Sequence, residues 1–137
     1  MSDNLNTDGY AEQAIVQLLT SAGAPVAIAQ TVGDRIYPVV IPDDKPAPAI
    51  VYHQVLENTV PTADGPVADG YVFSVGAVSA SYAEAKKLTR AVRVALNGKR
   101  VTVEGIGELF IYYEKENQPE FDPDRNYYAI SLDFRAS

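Results

Sequence analysis

Tyr71-Val72-Phe73-Ser74-Val75-Gly76-Ala77-Val78, followed at once by Ser81-Tyr82-Ala83-Glu84, is the stretch on which the fold turns. Tyr71, Phe73, Val75 and Ala77 recur at the period of two that puts side chains on one face of a strand. Ser81 and Glu84 have the spacing of a capping box. The Ser81 hydroxyl can accept from the Glu84 amide, and the Glu84 carboxylate can reach back to the Ser81 amide. Behind the box Ala85, Leu88, Val92, Ala95 and Leu96 repeat at helical spacing, with Ala91 beside them. Glu84 at the start and Arg90 and Arg93 further on match the helix dipole. Asn97-Gly98 closes the helix.

Towards the C-terminus, residues 100–104 and 108–114 read as extended chain, interrupted at Gly105-Ile106-Gly107 by a bulge or tight bend. Residues 115–125 form a polar turn region. Residues 126–135 then alternate. Tyr128, Ile130, Leu132 and Phe134 point inward, while Tyr127, Ser131, Asp133 and Arg135 point outward, as in a strand covered on one face.

Towards the N-terminus, residues 49–56 are a strand rich in β-branched and aromatic residues. Residues 57–70 hold two prolines and two glycines without periodicity, which predicts a long loop of the functional or mobile kind. Four prolines in 38–48 mark a stiff extended connection. Gly33-Asp34 is a turn, and Ile36-Tyr37 a short extended piece. A first helix is expected over 9–22, capped by Asp8 and ended by Gly23, with Ala11, Ile15, Leu18 and Leu19 as its buried stripe. A short helical segment follows from Pro25 through Val26, Ile28 and Ala29 to Gly33. Residues 1–8 read as a disordered polar tail and 9–137 as one α+β domain. Its expected architecture is two main helices packed on one face of a mainly antiparallel sheet of about four strands.

Composition narrows the function. A chain of 137 residues can bury one core, roughly 65–70% of its unfolded surface. Hydrophobic residues at 47% and charged residues at 21% are ordinary for a globular protein. No apolar run spans a membrane, and Met1-Ser2-Asp3-Asn4 is too polar for a secretory signal. Without cysteine there is no disulfide, thiol nucleophile or thiolate metal site. The net charge of −7 argues against bulk nucleic-acid binding, and no basic cluster stands out.

Catalytic signals are sparse. His53 is the only imidazole. An enzyme reading needs a pocket joining it to a carboxylate and a serine. Asp122-Pro123-Asp124-Arg125-Asn126 lacks the glycine and bidentate glutamate of a calcium loop, so it reads as a hairpin turn. Glu114, Glu116, Glu120, Asp122 and Asp124 read as a solvated rim. Gly105-Ile106-Gly107 does not lead from a strand into a helix and is no phosphate loop. No nucleophile elbow is present. The expectation is no catalytic, cofactor or metal site. Nine tyrosines point instead towards interfaces, where a large ring with a polar tip is favoured.

Gly33-Asp34-Arg35-Ile36-Tyr37-Pro38, leading into Pro48-Ala49-Ile50-Val51-Tyr52, resembles the opening of small tail-completion proteins of long-tailed bacteriophages. Tyr82-Ala83-Glu84-Ala85-Lys86-Lys87-Leu88, with Ala91-Val92-Arg93 and Ala95-Leu96-Asn97-Gly98, is similar to that family's central helix. Tyr127-Tyr128-Ala129-Ile130-Ser131-Leu132-Asp133-Phe134-Arg135 is similar to its last strand. The resemblance implies a non-enzymatic tail terminator that assembles as a homohexameric ring. The ring would cap the tail tube, stop its growth and join it to the head connector. The implied partners are further copies of the chain, the tail tube protein and the head connector protein. DNA would only pass through the bore, unbound, and no membrane is involved. The implied location is the virion tail, assembled in the host cytoplasm. An acidic ring would let phosphates slide past. A neck or connector subunit is the alternative within this class, and a monomeric module binding a peptide at a sheet edge the alternative outside it. Candidate interface residues are Arg35 and Tyr37 at the turn, Asp64 and Asp69 in 57–70, and Tyr112, Tyr113 and Tyr127 near sheet edges.

Overall fold

Phe73 lies opposite Phe134, Val75 opposite Leu132 and Ala77 opposite Ile130, and all six are buried. They sit in a computed structural model that describes residues 11–60, 63 and 67–137. The elements in chain order are α1 (Gln13–Leu19), α2 (Val26–Thr31), β1 (Ile36–Pro38), β2 (Ala49–Val60), β3 (Val67–Ser79), α3 (Tyr82–Leu96), β4 (Lys99–Val103), β5 (Gly107–Glu116), β6 (Glu120–Asp122) and β7 (Tyr127–Ala136). The sheet runs β1-β2-β3-β7-β5-β4, with β6 also paired to β7. Among the described residues only β1 and β2 pair in parallel.

The alternation in β3 and β7 turns one sheet face into the wall of a core. Ala85, Leu88, Val92, Ala95 and Leu96 of α3 fill it from above, with Ile15 and Leu19 of α1 and Ile28 of α2. α3 is amphipathic as its spacing requires: its apolar stripe is buried while Lys87, Arg90 and Arg93 are exposed. Asn97 ends the helix, its Oδ1 accepting from the Tyr113 amide at 2.8 Å, and Gly98 follows with φ +75°.

The fold is α+β as expected, with more elements than the sequence reading counts: three helices and seven strands among the described residues. Residues 57–70 are the main source of the difference. Backbone pairing continues from Glu57↔Tyr71 to Val60↔Val67, so much of the expected loop is a long two-stranded ribbon. Register shifts between Gln54 and Leu56 and between Asn58 and Thr59 break the alternation that would have revealed it. β6 is three residues long, too short for a period to show. Gly105-Ile106-Gly107 lies at the tip of the β4–β5 hairpin, with φ +85° and +109° at its glycines. α1 is shorter than 9–22 and ends at Thr20, whose amide and hydroxyl both bond the Val16 carbonyl, so Gly23 does not cap it. Asp8 and the expected 1–8 tail lie outside the described residues. The capping box also differs. The Glu84 amide does bond Ser81 Oγ, at 3.2 Å, but the Glu84 carboxylate bonds the Ser79 hydroxyl rather than the Ser81 amide.

Candidate functional site

The helices cover one sheet face and leave the other open. On that open face a second, smaller cluster forms from Ile41, Ala49 and Val78, with Tyr37, Val51, Tyr127 and Ala129 packed around it. Two sequence candidates therefore come together here: Tyr37, carried by β1, and Tyr127, the first residue of β7, both half-buried. Pairing of β1 with β2 and of β7 with β3 places them, because Tyr37↔Val51 and Ala129↔Val78 are registered neighbours.

Arg35 stands just ahead of β1 in the chain. Its Nε donates to the Pro48 carbonyl at 2.8 Å and a terminal nitrogen donates to the Thr31 carbonyl at 2.9 Å. One guanidinium thus ties the end of α2 to the proline-rich link, using the fork that lysine lacks. Tyr112 and Tyr113 are adjacent on β5 and so face opposite ways. Tyr112 is 40% exposed beside Phe110. Tyr113 is half-buried against Phe134, with the Arg93 guanidinium 3.9 Å over its ring. Asp64 lies outside the described residues. Asp69 lies in β3, and its side chain is outside them too.

His53 is exposed on the open face, directly across from Ser74. Both line a shallow groove of about 530 Å³ with Ser131 and Glu120. The residue types for a catalytic cluster are thus near one another, but their geometry does not make one. Among the described residues the imidazole has no hydrogen-bond partner, and Ser131 Oγ accepts from Asn117 Nδ2 at 3.0 Å. A base unbonded to a nucleophile and unoriented by a third group lacks the arrangement nucleophilic catalysis uses. Glu114 and Glu116 are taken up in ion pairs with Arg135 and Lys86. Among the described residues no three imidazole or carboxylate groups converge as metal ligands, and no helix is long and apolar enough to cross a membrane.

What the open side does carry is exposed apolar surface. Val39 and Val40 are 68% and 60% exposed beside a cleft of about 270 Å³ that Phe121 also lines, while the ring of Phe121, 48% exposed, packs on its registered partner Tyr128 towards the helix-bearing side. Sequence reasoning missed these residues. Phe121 is the one signal that could have found them: a lone aromatic in a polar turn region has to lie either under something or ready to be covered.

Comparison with known families identifies the class of protein that carries this surface. The family described as "Tail completion protein gp17" matches residues 13–137. The chain belongs to this family of phage tail completion proteins, and it is a structural, non-enzymatic tail component of the virion. No curated protein matches it. Among solved structures, a chain of "Virion of native gene transfer agent (GTA) particle" has a similar fold, with TM-score 0.67 and 21% identity over 92% of each chain.

Proposed function

We propose that copies of this chain form a closed ring, six in number, that caps the tail tube, ends its polymerisation and joins it to the head connector. The family match over 13–137 carries this reading. The exposed apolar residues of the open face support it, because a ring needs one surface of each copy to meet a different surface of the next. Tyr37, Tyr112 and Tyr127 are the interface candidates on the described surface, and Arg35 holds the turn that presents Tyr37. Residues 57–70, with Asp64 and Asp69, are the segment for contact with the tube. Assembly takes place in the host cytoplasm. With a net charge of −7 per chain, DNA passes through the bore without specific binding.

Deleting the gene tests the reading. Loss of a terminator yields tails of uncontrolled, excessive length. Tails of normal length that fail to join heads would instead identify a neck or connector subunit.

A further inference from the structure

Charge is segregated along this chain in a way its net value hides. Residues 82–103 hold six of the eleven cations and one acid, a formal +5. The remaining 115 residues hold five cations and seventeen acids, a formal −12. In the structure the positive segment is α3 and β4. With Ala85, Leu88, Thr89, Ala91, Val92, Ala95 and Leu96 buried, Lys86, Lys87, Arg90 and Arg93 are left on the solvent side. Val94, 62% exposed, lies among them. Lys86 pairs with Glu116 and Arg93 covers Tyr113. Lys87, Arg90 and Lys99 have no ion-pair partner among the described residues.

The complementary surface lies at another corner of the same chain. Asp43 and Asp44 from the proline-rich link and Glu120, Asp122 and Asp124 from β6 and its turn are all exposed. Arg125 binds the two segments together through Asp43 and the Ile41 carbonyl. Glu120 and Asp122 line the cleft beside Val39, Val40 and Phe121, together with Arg125, and Asp43 reaches it through its ion pair with Arg125. Val39 holds φ at +67°, a conformation a β-branched residue adopts only when its surroundings impose it. Within one subunit the N-terminal end of α3 approaches β6, where Tyr82 packs on Tyr128 and Tyr128 on Phe121. Among the described residues no ion pair joins Lys87 or Arg90 to the acids of the corner, so both surfaces are left for a second copy.

We propose that the basic outer face of α3 docks onto the acidic, apolar-centred corner formed by 39–44 and β6 of a second copy, head to tail. The inference rests on the ring reading and supplies its contact. Copies of net charge −7 repel one another in most orientations. This orientation places positive against negative, with apolar side chains between, as interfaces are commonly built. Repeated around an axis, one basic face meets one acidic corner at every junction.

The test uses the full chain, with and without isolated tail tubes, and reads particle mass by analytical ultracentrifugation and ring shape by electron microscopy. One variant is Lys87→Glu with Arg90→Glu; the other is Asp44→Lys with Asp124→Lys. Each alone is expected to reduce the assembled fraction by about tenfold or more. Mixed in equal amounts, the two should assemble again, because every junction then pairs opposite signs; recovery also shows that both variants fold. High salt should weaken wild-type assembly. Variants that each assemble like wild type, or a mixture that does not recover, would overturn the contact and leave the ring standing. Normal rings from Lys87→Glu/Arg90→Glu that have lost retention on double-stranded DNA would reassign the basic face to phosphate. A wild-type chain that stays monomeric even on tube ends would refute the ring, and this contact with it.

Discussion

Ser79 Oγ donates a hydrogen bond to Glu84 Oε1 at 2.7 Å. Ser79 Oγ also accepts from the Ser81 amide at 3.0 Å. A buried hydroxyl at the end of β3 therefore relays the cap of α3, and the step from sheet to helix is fixed at the point where the core is laid out. Replacing Ser79 with alanine leaves the Ser81 amide and the Glu84 carboxylate without that partner. The expected cost is about 1–2 kcal/mol, read as a lower urea midpoint at unchanged slope. Glu84→Gln, which keeps a side-chain oxygen able to accept, should cost less.

Phe134 tests the core itself. It is fully buried, faces Phe73 across the strands and meets the edge of Tyr113. Phe134→Ala should cost about 3–5 kcal/mol by equilibrium unfolding, whereas Phe121→Ala, which loses a half-exposed ring and its contact with Tyr128, should cost only about 1 kcal/mol.

Arg35→Ala should destabilise by about 1.5–3 kcal/mol, since its guanidinium serves two backbone carbonyls. Arg35→Lys should recover only part of this. The loss is one of subunit stability, because both bonds lie within one chain, so rings formed well below the melting temperature should keep their size. Thermal melts and sedimentation of the same samples separate the two effects.

Tyr52 makes stability depend on alkaline pH. Burial first, and the nearby Glu12 carboxylate second, raise its phenol above the ordinary value. Below about pH 10 both states hold the proton and its contribution is fully present. Above that the unfolded chain loses the proton while the folded chain keeps it, so stability falls, by at most about 1.4 kcal/mol per pH unit. Urea midpoints at about pH 9 and about pH 11.5 should converge more closely in Tyr52→Phe than in wild type.

Where periodicity is uninterrupted, the sequence is a faithful guide. The period-two faces of 71–78 and 126–135 and the stripe from Ala85 to Leu96 appear in the structure as read, because a single buried face dictates each. The ribbon beyond Leu56 was hidden by two register shifts, and β6 by its length. The cap relay was hidden because nothing in Ser81-Tyr82-Ala83-Glu84 discloses that Ser79 stands nearer to Glu84 than the Ser81 amide does. Tyr37 and Tyr127 were legible as surface aromatics, but their meeting depends on the pairing of β1 with β2 and of β7 with β3. The basic face of α3 was within reach of sequence: its four cations, Lys86, Lys87, Arg90 and Arg93, fall outside the apolar stripe. A net charge averaged over the whole chain concealed them.

Self-assembly at the end of a tube is the central claim, and direct imaging addresses it best. Purified tails carrying a tagged copy of this chain can be imaged by cryo-electron microscopy. The prediction is one closed ring of identical subunits at the head-proximal tip, with α3 of each against the β6 corner of its neighbour. A single copy per tail, or labelling distributed along the tube or at its distal tip, would contradict it.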